Sequence, residues 1–289
     1  MPELTNDPDV LGQWVGRQQR LTDHISAETV GRLATTLNHP TWPDRHGTLP
    51  PLWHFLFFAE LAPTDTLGPD GHPPRGGFLP PVALPRRMWA QSQVTFLEPI
   101  PIGVDAERTS TITRVANKDG SSGPLCFVTI RHDLTVDGRT RLVETQDLVY
   151  RADPDPNLPT RPPDPAPVES DFGTVIHPDP VLLFRYSALT FNSHRIHYDR
   201  EYAQRVEGYG DLVVHGPLTA TLLAELAATN TPPGQRLGSF SFRGVTPLLA
   251  SEPFTIAGGY RDGGVDLWAA NPTGGLAMTA RAEFANEST

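Results

Sequence analysis

Apolar positions alternate with polar ones over Leu125-Cys126-Phe127-Val128-Thr129-Ile130, Leu142–Tyr150, Val265–Trp268 and Leu276–Phe284, a period of two that predicts β-strands. The period changes over Pro217–Ala228, where Leu218, Leu222, Leu223 and Leu226 recur at helical spacing. Pro217 suits a first helical position, where its missing N–H costs nothing. A second apolar helix is expected over Phe55–Leu61. A proline-dense stretch, residues 152–168, forbids helix or central strand and predicts an extended connector.

The segments on either side of that connector follow one plan. Ala34-Thr35-Thr36-Leu37-Asn38 precedes Leu52-Trp53-His54-Phe55-Leu56, as Ala188-Leu189-Thr190-Phe191-Asn192 precedes Leu212-Val213-Val214-His215-Gly216. A Val-Thr strand start follows in each, at Val94-Thr95 and Val245-Thr246, and then the alternating strands. The order predicts an internal duplication. Each copy has a short helix, a loop, a longer helix and an antiparallel sheet on which that helix buries its apolar face, an α+β layer fold. The expected domains are 1–151 and 169–289, with 152–168 as linker. Asn117-Lys118-Asp119-Gly120 reads as a hairpin turn.

Composition narrows the function. The net charge is −10 and Lys118 is the only lysine, so no nucleic-acid backbone is an expected partner. No run approaches the roughly 20 apolar residues of a membrane span, and Met1–Asp7 carries no signal-peptide pattern. Cys126 is the only cysteine, which excludes an intrachain disulfide or a cysteine-clustered metal site. A cytoplasmic location is expected.

Candidate chemistry concentrates in Phe184–Arg200, which holds Asn192, His194, His197 and a Tyr198-Asp199 pair, and in Val213-Val214-His215-Gly216-Pro217 at the start of the long helix. Leu189-Thr190-x-Asn192-x-His194-x-Ile196-His197-x-Asp199 followed by Val214-His215-Gly216 resembles the MaoC-type hydratases. Phe191-Asn192 is similar to the branch containing the type 2 3-hydroxyacyl-thioester dehydratases and mesaconyl-CoA hydratases. So are Asp70-Gly71-His72-Pro73, Leu79-Pro80-Pro81, Leu84-Pro85-Arg86-Arg87-Met88-Trp89 and Val149-Tyr150-Arg151 in the first half. The resemblance implies a double hot-dog fold, each sheet wrapped around a central helix, and reversible hydration of an α,β-unsaturated acyl thioester. It implies His197 as the proton-transfer group. Gly216 would offer a backbone N–H to the thioester oxygen, aided by the helix dipole.

The wider family carries an aspartate where Asn192 stands. An amide is no base at neutral pH, so Asn192 is read as an orienting group and His197 as the single proton carrier. His194, His215, Arg86, Arg87, Trp89 and Arg243 are the expected substrate-binding residues, with an arginine fork suited to a free substrate carboxylate. His215 is also read as a brace for the helix start. Counting from Asn38 places Pro43 at the His197 position, and Phe55 is taken as the counterpart of Gly216, so the first half is expected to be catalytically empty. It would instead complete the acyl tunnel and contact the CoA.

Asp70-Gly71-His72 and Arg75-Gly76-Gly77 lie in a long loop, a frequent place for binding elements. Ser187 and Thr190 sit in no nucleophile elbow. His194, His197 and Asp199 lack a further clustered ligand. No metal and no cofactor are expected, CoA (or an acyl carrier) being part of the substrate. The pseudo-dimer within the chain leaves room for a homodimer. A hot-dog thioesterase and a non-catalytic acyl-CoA-binding protein are the competing readings.

Overall fold

The computed structural model describes residues 2–41, 46–120, 123–153 and 162–286. In chain order the elements are α1 (Pro8–Gly12), β1 (Gln18–His24), α2 (Ala27–Thr36), β2 (Arg86–Phe96), β3 (Asp105–Gly120), β4 (Gly123–Val136), β5 (Arg139–Arg151), β6 (Phe172–Ile176), α3 (Pro180–Leu189), α4 (Arg200–Arg205), α5 (Gly216–Thr229), β7 (Gln235–Gly244), β8 (Phe254–Arg261), β9 (Gly264–Ala270) and β10 (Leu276–Asn286). The strands form one antiparallel sheet in the order β1-β3-β4-β5-β2-β7-β10-β9-β8-β6. Its halves mirror each other about the β2–β7 seam, where Val94 faces Phe240 and Gln91 faces Arg243. This is the α+β double hot-dog expected. Cys126, Val128, Ile130, His132, Leu134 and Val136 all turn inward from β4, the period of two realised over a whole strand.

Helix α5 is the central helix of the second half. Leu218, Ala220, Leu223, Ala224 and Ala227 are buried, while Leu222 and Leu226 are partly buried against the same core. A helix apolar on nearly every side is one enclosed by its sheet.

The first half departs from that plan. The helix expected over Phe55–Leu61 is a single 3-10 turn, Trp53–Leu56. Prolines at 50, 51 and 63 bound the segment, Leu52 and Phe58 take positive φ, and its aromatic residues are weak helix formers. The side chains anchor singly instead. Trp53 Nε1–H donates to Glu225 Oε1 on α5 at 2.7 Å. His54 Nε2 lies 3.3 Å from the buried Glu144, which also accepts from Ser92 Oγ.

Matching hydrogen bonds correct the duplication's register. Leu97 and Glu98 N–H both bond Arg141 O, as Val245 and Thr246 N–H bond Ala277 O, so Val94-Thr95 does not align with Val245-Thr246. Both pairs of bonds fall where strands β2 and β7 end, not where strands start. Leu49 N–H to Ile100 O repeats as Val214 N–H to Leu248 O, which makes Pro51, and not Phe55, the counterpart of Gly216. His39 N–H to Ala34 O repeats as Asn192 N–H to Ser187 O, so His39 replaces Asn38 opposite Asn192. Ten residues separate His39 from Leu49, but twenty-two separate Asn192 from Val214. The histidine-bearing loop is thus an elaboration of the second half alone. Pro43 lies outside the described residues.

Asn117–Gly120 continues β3, and Gly120 pairs with Gly123, so the hairpin turns later than expected. Of the expected connector, Pro165 bridges Gly275 and Ala166 N–H bonds Gly274 O, an extended strap along the β9–β10 turn; residues 154–161 lie outside the described part.

Glu225 holds both Trp53 and His39 Nε2, the latter at 3.2 Å. Glu225→Ala is expected to cost about 1–3 kcal/mol by stranding the indole N–H. Urea unfolding checks this, and an unchanged midpoint would remove the role assigned to that bond.

Candidate active site

Asp179 caps α3, its carboxylate accepting from Leu182 N–H at 2.7 Å. The helix ends in a left-handed residue, Phe191 at φ +52°. Asn192 Oδ1 then accepts the N–H of His194 at 3.0 Å, an Asx turn that opens the 3-10 turn Arg195–His197. That turn aims His197 inward, where it is 7% exposed.

The protonation of His197 follows from its partner. Nδ1 lies 2.7 Å from Val213 O, and a carbonyl only accepts, so Nδ1 carries the hydrogen and Nε2 the lone pair. Burial pushes its pKa down to about 3, so the resting ring is neutral. The ring stacks on His215 at 3.6 Å between centroids and 18° between planes. His215 is fully buried, with Nε2 at 2.8 Å from Ser187 Oγ, and burial lowers its pKa as well. It does not line the cavity. The substrate-binding assignment of His215 is therefore corrected to a brace beneath His197, because the stacked ring lies between it and the ligand space.

One residue on, Gly216 begins α5. Its N–H belongs to the first turn, which has no acceptor within the helix. A Cβ there would meet nothing within 4 Å, so a side chain would project into open space that glycine leaves to a ligand.

The first half reaches the same place through a loop. Arg195 N–H donates to Asp70 O at 2.9 Å, Arg195 Nη1 to Pro69 O at 3.0 Å, and Ser193 Oγ to Gly71 O at 2.5 Å. Gly71 has φ +87°, and a Cβ on it would sit 1.9 Å from Ser193 O; no other residue fits. The docked turn places His72 against His194, with ring centroids 4.2 Å apart, and His194 lies 5.5 Å from His197. His72 Nδ1 lies 2.9 Å from Asp70 Oδ2. Burial would raise the Asp70 pKa, but the His72 ring and backbone N–H outweigh it and hold the carboxyl well below the usual range. Burial, reinforced by the nearby Arg87 charge, pushes His72 down to about 4 despite the Asp70 bond.

These groups line a cavity of about 1360 Å³ built from both halves. Asn192, His194, His197, Gly216, Arg86, Arg87, Trp89 and Arg243 all border it. Arg86 is spent on Glu207 Oε2 at 3.2 Å and Asp153 Oδ1 at 2.8 Å, whereas Arg87 and Arg243 have no acidic partner among the described residues. Trp89 Nε1–H bonds Ser92 Oγ, so its ring is a wall. Asp199 turns away, capping α4 through Tyr202 N–H and pairing with Arg195, so it does not join His194 and His197. Asp70, His72 and His194 each bring a ligand atom within 4.8 Å of the others, but the carboxylate is already bonded to the His72 ring. Asp70, His72 and Glu207 are the site groups that sequence reasoning did not assign; the Asp-Gly-His turn was the available signal.

A ten-stranded antiparallel sheet around a central helix, with a buried histidine beside a glycine helix start, defines a protein of the double hot-dog class. A MaoC-like dehydratase of known structure superposes with a TM-score of 0.70 at 16% identity, covering 96% of this chain and all of that one. The hydroxyacyl-thioester dehydratase type 2 family matches residues 52–250. The chain is 43% identical over 94% of its length to the mesaconyl-C(4)-CoA hydratase of Chloroflexus aurantiacus, covering 96% of that protein. It is 28% identical to the mitochondrial hydroxyacyl-thioester dehydratase type 2 of Schizosaccharomyces pombe, over 82% of this chain and 88% of that one. The chain belongs to the hydroxyacyl-thioester dehydratase type 2 family and is a hydro-lyase of the acyl-thioester hydratase/dehydratase type. No helix among the described residues is long and apolar enough to cross a membrane.

The depressed histidines make a stability prediction. His72 and His197 have folded pKa values of about 4 and 3, below the unfolded value, so between these limits the unfolded chain binds more protons. Stability is therefore full above about pH 6.5 and falls toward pH 4, by up to about 1.4 kcal/mol per pH unit for each such histidine. Unfolding midpoints between pH 7 and 5 should drop, and His197→Gln should flatten the slope; a slope identical to wild type contradicts the assignment.

Proposed function

We propose that the protein reversibly hydrates a branched, carboxylate-bearing enoyl-CoA of the mesaconyl-CoA kind. The observation that carries this reading is the neutral His197 Nε2 in the same cavity wall as the Gly216 N–H. The thioester oxygen accepts that N–H at the positive end of α5, which stabilises the enolate-like charge. His197 then serves the α-carbon, next to the thioester, while water adds at the β-carbon. Asn192 has its carbonyl bound to His194 N–H, which leaves its amide N–H as the group that would donate to the water's oxygen. The relative's substrate supports a free carboxylate, and Arg87, partly buried in the cavity wall beside His72 and without an acidic partner among the described residues, is the guanidinium assigned to it.

Residues 1–151 are read as the substrate- and CoA-binding half and residues 169–289 as the catalytic half, with 152–168 joining them. Pro51 has no N–H to offer where Gly216 has one, which supports a first half without its own oxygen site. No cofactor enters the reaction, the thioester being a CoA or an acyl-carrier one. The buried single thiol Cys126 suits the cytoplasm, and the pseudo-dimer within the chain leaves room for a homodimer.

With crotonyl-CoA and mesaconyl-CoA, loss of the conjugated absorbance without thiol release is expected. Thiol release would instead establish a thioesterase, and ligand stabilisation without turnover a binding protein. His197→Ala should lower kcat by about 10²–10⁴; full activity would refute the site. Arg87→Gln should raise KM for mesaconyl-CoA about tenfold or more while leaving crotonyl-CoA nearly unchanged. Equal effects on both substrates would take the carboxylate away from Arg87.

A further inference from the structure

Hydration moves one proton off water and one onto carbon. In the second half His197 is a poor acceptor for water's proton, being buried with a neutral carbonyl as its hydrogen-bond partner among the described residues. The carboxylate nearest His194, Glu207 at 3.9 Å, is already paired with Arg86. The imidazolium formed at His197 would have no anion beside it. Asn192 supplies none either.

A carboxylate bonded directly to a cavity imidazole stands across the seam. Asp70 is ionised and only accepts, so the His72 Nδ1 at 2.9 Å carries the hydrogen and Nε2 presents its lone pair. Nε2 has no hydrogen-bond partner among the described residues, and the side chain borders the catalytic cavity at 19% exposure. This is the arrangement in which a carboxylate fixes the tautomer and stabilises an imidazolium as it forms. The dyad is held rigidly, because the turn around Gly71 is pinned to Ser193 and Arg195. The rings also stand in an order that fits the substrate. His197 lies at the Gly216 end, so a thioester held there would set its α-carbon by His197, and His72, one ring beyond His194, would fall on the β-carbon side.

We propose that the Asp70–His72 dyad of the first half is the water-activating base of the second half's reaction, so that the active site is complete only across the two halves. The proposal rests on the hydratase reading above. As the water oxygen bonds the β-carbon, the proton it sheds goes to His72 Nε2, and the alkene electron pair moves onto the thioester oxygen at Gly216. Asp70 balances the imidazolium while the enolate exists. The enolate now held at Gly216 supplies the anion that His197 lacks at rest, so the proton passes by way of His194 to His197 Nε2 and onto the α-carbon, as the enolate pair returns to form the C–H bond. All three imidazoles finish neutral, and the elements of water have been added; dehydration is the reverse. Glu207, 3.9 Å from His194 Nε2 and paired with Arg86, lies beside the middle ring, and Arg87 stands near His72.

Rates of crotonyl-CoA hydration are compared for wild type, His72→Gln, Asp70→Asn, His72→Ala and His197→Ala, with unfolding midpoints for each. Wild-type turnover that His197→Ala abolishes upholds the hydratase reading whatever His72 does; no wild-type hydration sinks both. His72→Gln and Asp70→Asn should each lose about a hundredfold or more in kcat, with KM within about threefold of wild type. Added imidazoles should restore His72→Ala, with rates rising with imidazole pKa, a response that a packing role does not give. The proposal is overturned if His72→Gln keeps kcat within about threefold, if its loss lies wholly in KM, or if no imidazole rescues His72→Ala. Should His72→Gln fail to fold, a folded Asp70→Asn with wild-type kcat overturns it equally. Wild-type activity should survive exhaustive chelation; loss restored by zinc would make the triad a metal site and reject the dyad.

Discussion

The hydrogen bond from His197 Nδ1–H to the Val213 carbonyl is the constraint on which the site depends. It ties the loop after α3 to the segment that starts α5, and it decides which ring nitrogen faces the substrate. Around it, Val213 N–H bonds Ile196 O and Val214 N–H bonds Leu248 O, so one short extended segment is held from both sides. The helix start at Gly216 therefore cannot shift without moving the histidine. The proposed proton carrier and the proposed oxygen donor are positioned by the same backbone.

The cost of that arrangement is a buried stack of polar rings. His215 Nδ1 finds no hydrogen-bond partner among the described residues, and His197 and His215 both lie in surroundings that resist protonation. A charged imidazole in the middle of this stack would repel its neighbours and lose its hydration. The resting site is consequently neutral, and charge has to appear where an anion can meet it. Glu207 in the second half is committed to Arg86, and the carboxylate bonded directly to a cavity imidazole is Asp70 on the other half of the chain, on a turn that only glycine at 71 allows to approach. The two halves are thus joined by a seam of strands and, in the proposed mechanism, by the chemistry as well.

Much of this was legible in the sequence, and the remainder was hidden for identifiable reasons. Strand alternation in β4 and β5 and the apolar run of α5 are local signals of long, regular elements, and they predict the layers correctly. Phe55–Leu61 misled because apolar content alone cannot distinguish a helix from aromatic anchors set singly into a core; the bounding prolines were the better guide. Aligning the halves by residue likeness shifted the pairs by one to four positions, since a shared pattern does not fix a register and hydrogen bonds do. His197, Asn192 and Gly216 lie within one loop and one helix start, so their spacing carried them.

Asp70 and His72 were visible only as a turn, because what makes them part of the site is a distance of more than a hundred residues closed by docking. Glu207 was hidden likewise. His215, in contrast, was prominent in sequence because it adjoins Gly216, yet its ring points behind His197, away from the cavity. Adjacency along the chain and adjacency in the site are different properties, and duplication widens the gap between them. A copy that loses its central helix and its glycine helix start is freed from one set of constraints, and its concave face then accepts a long loop. That loop reaches across the seam to the copy that kept the helix. Degeneration of the first half and completion of the second half's site are, on this view, one structural event.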